Sequence, residues 1–199
     1  MTTSETDPRP ITAPSTVPAW AHAAGLLLLG QAQAPNDATA LADRALFTEC
    51  IARYCWSYDE RRLDSLANCF TEDAVWAGNV LGRIPIGPFE GRAQIIKWLS
   101  EFWPHQRDQR RHMLFNTIVE AQTPDSALTL SYLLLLGSNG SIVALETSGF
   151  YQVRYRRTSD GWQICHLMAG FDAPFWPGDI NKMSAAGRLR HGVAVKDAE

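Results

Sequence analysis

The sequence predicts an α+β fold: a cone-shaped α+β barrel in which a curved, mostly antiparallel sheet wraps around N-terminal helices and encloses an apolar cavity. Three observations carry this reading. Helical periodicity governs the first part of the domain and two-residue alternation governs the second, the order expected of helices followed by consecutive strands. Turn signals separate the alternating runs, Asn139-Gly140 foremost. Seven tryptophans and eight phenylalanines in 199 residues supply more aromatic surface than a chain of this length needs for a plain core, and they suit a pocket for a bulky apolar ligand.

Taken in order, residues 1–18 hold Pro8, Pro10, Pro14 and Pro18 among threonine, serine and acids, an extended or disordered arm. Ala19 to Gly30 is a short apolar run before Gln31-Ala32-Gln33-Ala34. Glu5 and Asp7 ahead of it and Pro35 after it argue against a cleaved export signal, and the run is too short to span a bilayer. It is expected to form a short helix packed on the domain or on a second subunit. Asn36-Asp37-Ala38-Thr39 reads as a helix cap, and Leu46, Phe47, Cys50, Ile51, Tyr54, Cys55 and Tyr58 then recur at helical spacing.

A second short helix is expected over 63–70, and a strand starts at Ala74-Val75-Trp76. The segment 82–91, rich in Gly and Pro, reads as a connection to an amphipathic helix from Arg92 to about Trp103. Strands follow over 112–120, 128–136, 142–157 and 162–171, the last two separated by Ser159-Asp160-Gly161. The chain thus divides into an N-terminal extension, 1–38, a domain, 39–181, and a tail, 182–199.

Composition narrows the partners. A net charge of −3 with no basic run argues against nucleic acid. Cys50, Cys55, Cys69 and Cys165 lack the spacing of a metal site or a disulfide pair. They read as reduced, buried small hydrophobes in a reducing cytoplasm. No phosphate-binding glycine loop, nucleophile elbow or HExxH motif is present, so neither a cofactor nor a metal is implied.

Two positions carry chemistry. Asp59 lies at the end of the first long helix, at the edge of its apolar stripe, and His112 lies on the first strand of the alternating half. Period-two geometry places His112, Leu114, Asn116 and Ile118 on one face. A carboxylate on one ring nitrogen fixes the tautomer of a histidine, leaves the other nitrogen as a base and stabilises the imidazolium that follows. Tyr58 or Tyr54 can then donate a hydrogen bond to a developing oxyanion. Read separately, Asp59 suits a solvated helix end and His112 a satisfied strand histidine.

Several local signatures resemble the nuclear transport factor 2-like superfamily, in particular its SnoaL-like branch. They are Ser57-Tyr58-Asp59 closing the first helix, Leu66-Ala67-Asn68-Cys69-Phe70-Thr71-Glu72-Asp73-Ala74-Val75, Phe89-Glu90-Gly91-Arg92 before a helix, and Asp160-Gly161-Trp162-Gln163-Ile164 opening the last strand. The resemblance spans residues 39–175. In scytalone dehydratase-like and dehydrochlorinase-like members an aspartate at the end of the first helix pairs with a histidine on a later strand. Asp59 and His112 match those places, and Asn116 follows the histidine by four residues as in the dehydrochlorinase-like proteins.

The resemblance implies a lyase or isomerase of the dehydratase or cyclase type, free of cofactors, acting on a small apolar molecule. Asp59, His112 and Tyr58 are its catalytic candidates. Tyr54, Trp56, Trp76, Leu114, Asn116, Phe150 and His166 are candidates for the pocket lining, though Tyr54, Trp56 and Trp76 also stand at packing positions and His166 suits a structural role. A homo-oligomer, dimer or trimer, is implied by analogy. The same fold also serves as the small subunit of ring-hydroxylating dioxygenases and as a ligand-binding domain, and fold alone does not choose among them.

Overall fold

A computed structural model describes residues 17–173. After a four-residue helix, α1 (Trp20–Ala23), the long helix α2 (Ala38–Asp59) is followed by α3 (Leu63–Asn68), β1 (Phe70–Val80), β2 (Ile84–Glu90), α4 (Arg92–Ser100) and four strands, β3 (Gln109–Gln122), β4 (Ser126–Asn139), β5 (Ile142–Thr158) and β6 (Gly161–Phe171). The strands form one curved sheet in the order β2-β1-β6-β5-β4-β3. All neighbours are antiparallel except β1 and β6, which run parallel. β2 and β3 remain as its two edges, so the expected barrel is an open sheet that curls over α2 without closing.

Helix α2 starts where its sequence caps it: Asp37 is extended, and its Oδ1 accepts from Ala40 N at 2.7 Å. It stops at Arg61, which takes the left-handed conformation (φ 54°), while Arg62 N donates to Ser57 O at 2.8 Å. Its inward stripe of Phe47, Ile51, Tyr54 and Tyr58 packs on the concave face of the sheet in one buried cluster with Trp76, Leu133, Tyr151, Val153, Tyr155 and Leu167. Gly149 keeps β5 and β6 together, since a Cβ there would stand 1.9 Å from Gly170 O.

Two elements and one cysteine differ from expectation. The segment 82–91 contains strand β2, which tolerates Pro85 and Pro88 because it lies at the sheet edge. The apolar run after Ala19 is helical only over Trp20–Ala23, and Leu28 and Leu29 are exposed. Trp20 nevertheless docks on the convex face, its ring 5.7 Å from Phe150 and its Nε1 donating to Asp172 Oδ1 at 2.8 Å. Cys50, Cys55 and Cys69 are free and buried, whereas Cys165 is partly exposed. Burial pushes the thiol of Cys50 up to about 12 and that of Cys69 to about 11. Most of the arm expected over 1–18, the boundary expected at 181 and the tail 182–199 lie outside the described residues.

Asp43, on the first turns of α2, is buried and ties the helix to the β5–β6 hairpin. Trp162 Nε1 donates to its Oδ1 at 3.0 Å, and Arg157 Nη2 donates to its Oδ2 while its guanidinium stacks over the Trp162 ring. Asp43→Ala strands both donors and is expected to cost about 3 kcal/mol, read as a lower urea midpoint with an unchanged slope.

His166 lies on the convex face of β6 between Arg154 and Val75, and its Nδ1 is buried without a hydrogen-bond partner among the described residues. Burial first and the Arg154 guanidinium second hold its pKa below the ordinary 6.5. The unfolded chain therefore binds this proton more readily than the folded one. Stability from this group is complete above pH 6.5 and falls as pH drops below it. Between pH 7 and pH 5, His166→Gln is expected to lose less stability than the native chain in urea titrations; equal losses would contradict this assignment.

Candidate functional site

The last turn of α2 and the first half of β3 meet at one point. Asp59 spreads its carboxylate across a single residue, His112: Oδ2 accepts from the backbone N of His112 at 2.9 Å, and Oδ1 stands 2.6 Å from ring Nδ1. Gln109 Nε2 adds a bond to Asp59 O at 3.1 Å. Both side chains are nearly buried, 5 % exposed for Asp59 and 8 % for His112. A two-point clamp of this kind sets the position of the strand and the rotation of the ring together. With Nδ1 engaged by the carboxylate, Nε2 is the nitrogen left to accept a proton. Among the described residues Nε2 has no hydrogen-bond partner.

Two tyrosines stand beside the imidazole and a third lies behind them. Tyr58 meets it edge-on at 5.3 Å, Tyr151 lies tilted at 6.4 Å, and Tyr54 contacts Tyr151 at 6.1 Å. Tyr54 OH accepts from Trp76 Nε1 at 3.2 Å, and Gln106 Nε2 donates to Tyr58 OH at 2.8 Å. Burial raises all three phenols well above their ordinary range, so each remains a hydroxyl able to donate a hydrogen bond. Behind Tyr54, Trp76 packs with Trp98 and Phe89, ring centroids 4.1 to 6.3 Å apart, and Leu114, on the His112 face of β3, packs against the same apolar cluster.

Arg110 precedes His112 by two residues on that face and is buried. Its charge is met by Asp108 Oδ2 at 2.6 Å and Glu146 Oε2 at 3.3 Å, which leaves it a structural cation. Among the described residues no three His, Cys, Asp or Glu side chains are grouped to hold a metal ion.

The structure thus brings Asp59, His112, Tyr58, Tyr54, Trp76 and Leu114 together. Four other candidates lie elsewhere. Trp56 is 64 % exposed on the outer side of α2, where it lines a groove of about 700 Å³ and takes Arg111 over its ring. Phe150 points to the convex face under Trp20, and His166 lies on that same face. Asn116 sits in a β-bulge with φ 53° and is exposed, so the alternation from His112 does not carry through to it.

The residue that sequence reasoning missed on β5 is Tyr151, which shares the concave face with Val153 and Tyr155; the alternation of buried positions there was the signal. Gln106 and Trp103, in the connection after α4, carried no signal of their own.

Comparison with known proteins places this geometry in context. The SnoaL-like domain family matches residues 39–168. No curated protein matches the chain. Among solved structures, an NTF2-like protein with a cystatin-like fold from Novosphingobium aromaticivorans is 22% identical, with 79% of this chain and 98% of that one covered and a TM-score of 0.51. A hexachlorocyclohexane dehydrochlorinase from Novosphingobium barchaimii LL02 is 24% identical over 64% of this chain and 85% of that one, with a TM-score of 0.53. The beta subunit of a protein described as an aromatic-ring-hydroxylating dioxygenase, from Novosphingobium aromaticivorans DSM 12444, is 10% identical over 68% of this chain and 93% of that one, with a TM-score of 0.60. At these identities the likeness shows the fold and leaves the chemistry to the site. Helices cradled by an open, curved sheet are the fold these structures share, and a family match that runs from the start of α2 nearly to the end of β6 identifies the chain as a member of the SnoaL-like domain family.

Proposed function

We propose that the protein is a cofactor-independent lyase or isomerase, a dehydratase, double-bond isomerase or cyclase, acting on a small apolar metabolite of the polyketide, terpenoid, steroid or aromatic kind. The observation that carries this is the two-point grip of Asp59 on His112, which leaves ring Nε2 as a base at the edge of an aromatic-walled site.

In the reaction envisaged, Nε2 of His112 removes a proton from a carbon beside a carbonyl, and the C–H electron pair moves into the conjugated system. Negative charge gathers on the carbonyl oxygen, where the hydroxyl of Tyr58 or Tyr54 donates a hydrogen bond. Asp59 stabilises the imidazolium. That proton then passes to a departing hydroxide, which leaves as water, or to a different carbon, which shifts the double bond. The walls offer little to a highly charged substrate.

Support from the comparisons is of the same kind: the SnoaL-like match and a dehydrochlorinase of similar fold are compatible with elimination in such a site. The reading includes a homo-oligomer, dimer or trimer, working in the cytoplasm. Met113, Phe115, Ile118 and Tyr132, all exposed on β3 and β4, favour an apolar contact there. No helix among the described residues is long and apolar enough to cross a membrane.

The test is mass spectrometry of small molecules from an extract of the producing cell, treated with the native protein, His112→Ala or Asp59→Asn. Consumption of one species by the native protein alone is expected, with Asp59→Asn slower by roughly 10²–10⁴. A product lighter by one water identifies a dehydratase, and an isomer of equal mass an isomerase or cyclase. Extracts left alike by all three proteins would replace this reading with a binding domain or a non-catalytic subunit.

A further inference from the structure

The connection between α4 and β3 is built against the site. Its backbone is held from α2: Arg61 Nη2 donates to Gln106 O at 2.6 Å, and Gln106 N donates to Phe102 O at 3.1 Å, closing a turn. Two side chains of this connection face the last turn of α2. The amide of Gln106 donates to the Tyr58 hydroxyl oxygen at 2.8 Å, and the Trp103 ring lies 6.0 Å from that of Tyr58. Trp103 Nε1 is buried and has no hydrogen-bond partner among the described residues. An indole N–H can only donate, so burying it unpaired costs stability unless a ligand answers it.

We infer that residues 103–106 complete a two-donor oxyanion subsite beside His112, with Trp103 as one donor and Gln106 as the positioning residue that turns the proton of Tyr58, the other donor, toward the substrate oxygen. This inference rests on the reaction proposed above and extends it to residues that the sequence did not single out.

The chemistry follows from the inventory of groups. A phenol oxygen that accepts from an amide N–H keeps its own proton for a different acceptor. Were Gln106 a carboxylate, it could only accept, and it would draw the Tyr58 proton to itself. Tyr58 is kept in its protonated form by burial, with Tyr58 and His112 in edge-on contact, so the phenolic proton and the imidazole base serve the same small volume. A substrate that loses a proton to Nε2 develops charge on an oxygen a few bonds away, and a donor pair displaced from the base matches that separation. The substrate class is thereby narrowed to carbonyl compounds whose enolate oxygen projects toward Trp103.

Binding of 4-nitrophenolate, followed by its absorbance and by calorimetry, tests the subsite without knowledge of the substrate. The native protein is expected to bind the phenolate. Trp103→Phe, which keeps the ring and removes the N–H, should weaken binding about tenfold. Gln106→Glu should weaken it by more than tenfold and Gln106→Leu by less, because leucine frees the Tyr58 rotor while glutamate captures its proton. Since Arg61 holds the backbone carbonyl of Gln106, these side-chain changes leave the anchor in place, and unchanged melting temperatures verify it.

A loss of binding in Trp103→Phe and Gln106→Leu, neither of which adds a charge, at unchanged melting temperature is not expected from a merely structural role. Native binding with all three variants equal to it would overturn the inference while the Asp59–His112 reading stands. No binding by the native protein would remove the oxyanion site itself, and the proposed reaction with it.

Discussion

The buried link between the end of helix α2 and the sheet is one carboxylate. Asp59 gives both oxygens to His112, one to its backbone and one to its ring, so the contact that registers α2 against β3 is also the contact that orients the imidazole. A charge-assisted bond to a backbone N–H is among the stronger links available to a folded chain. Loosening it would move the strand and the base together. Much of the surrounding structure serves that junction: Arg61 ends the helix one turn beyond Tyr58, Gln109 adds a bond to the Asp59 carbonyl, and Arg111 reaches Glu60 on the outer side at 2.7 Å.

Burial then decides what the neighbours can do. The tyrosines near His112 lie too far from water to ionise, so they serve as neutral donors, and Tyr54 is itself satisfied by Trp76. Arg110 is closer to the base in sequence than any of them, yet Asp108 and Glu146 occupy it. Gly137, its partner across β4, has no side chain to obstruct those carboxylates: a Cβ there would meet Asp108 Oδ2 at 2.3 Å. A cation balanced in this way is committed to holding β3, β4 and β5 together.

The sequence made much of this legible, through local rules with strong signals. The cap at Asp37, the inward stripe of α2 and the Asn139-Gly140 hairpin could each be read from residue type and spacing, while the pairing of Asp59 with His112 needed the family resemblance beside them. What escaped was decided by parity and by irregularity. Phe150 and Tyr151 are adjacent, equally aromatic and on opposite faces of β5, and choosing the first inverted the assignment. Asn116 lost its place because the edge strand bulges there and adopts a left-handed turn, a conformation asparagine tolerates better than most residues. β2 hid behind its prolines, and the contribution of Gln106 depends on where a loop returns, which no periodicity encodes.

Two buried aspartates on α2 show how the same residue type is committed to different ends. Asp43 receives Trp162 and Arg157 from the β5–β6 hairpin; both partners are donors only, with no acceptor atom to relay the charge of the carboxylate. Asp59 receives an amide and an imidazole from β3, and the imidazole has a second nitrogen that its partner does not use. Burial and hydrogen bonding are alike in the two cases, so neither marks function. The difference lies in the partner: a histidine relays the influence of the carboxylate to a second atom, whereas an indole or a guanidinium absorbs it. A buried acid in this fold is therefore informative through what its partner leaves uncommitted, and at the end of α2 that is ring Nε2 of His112.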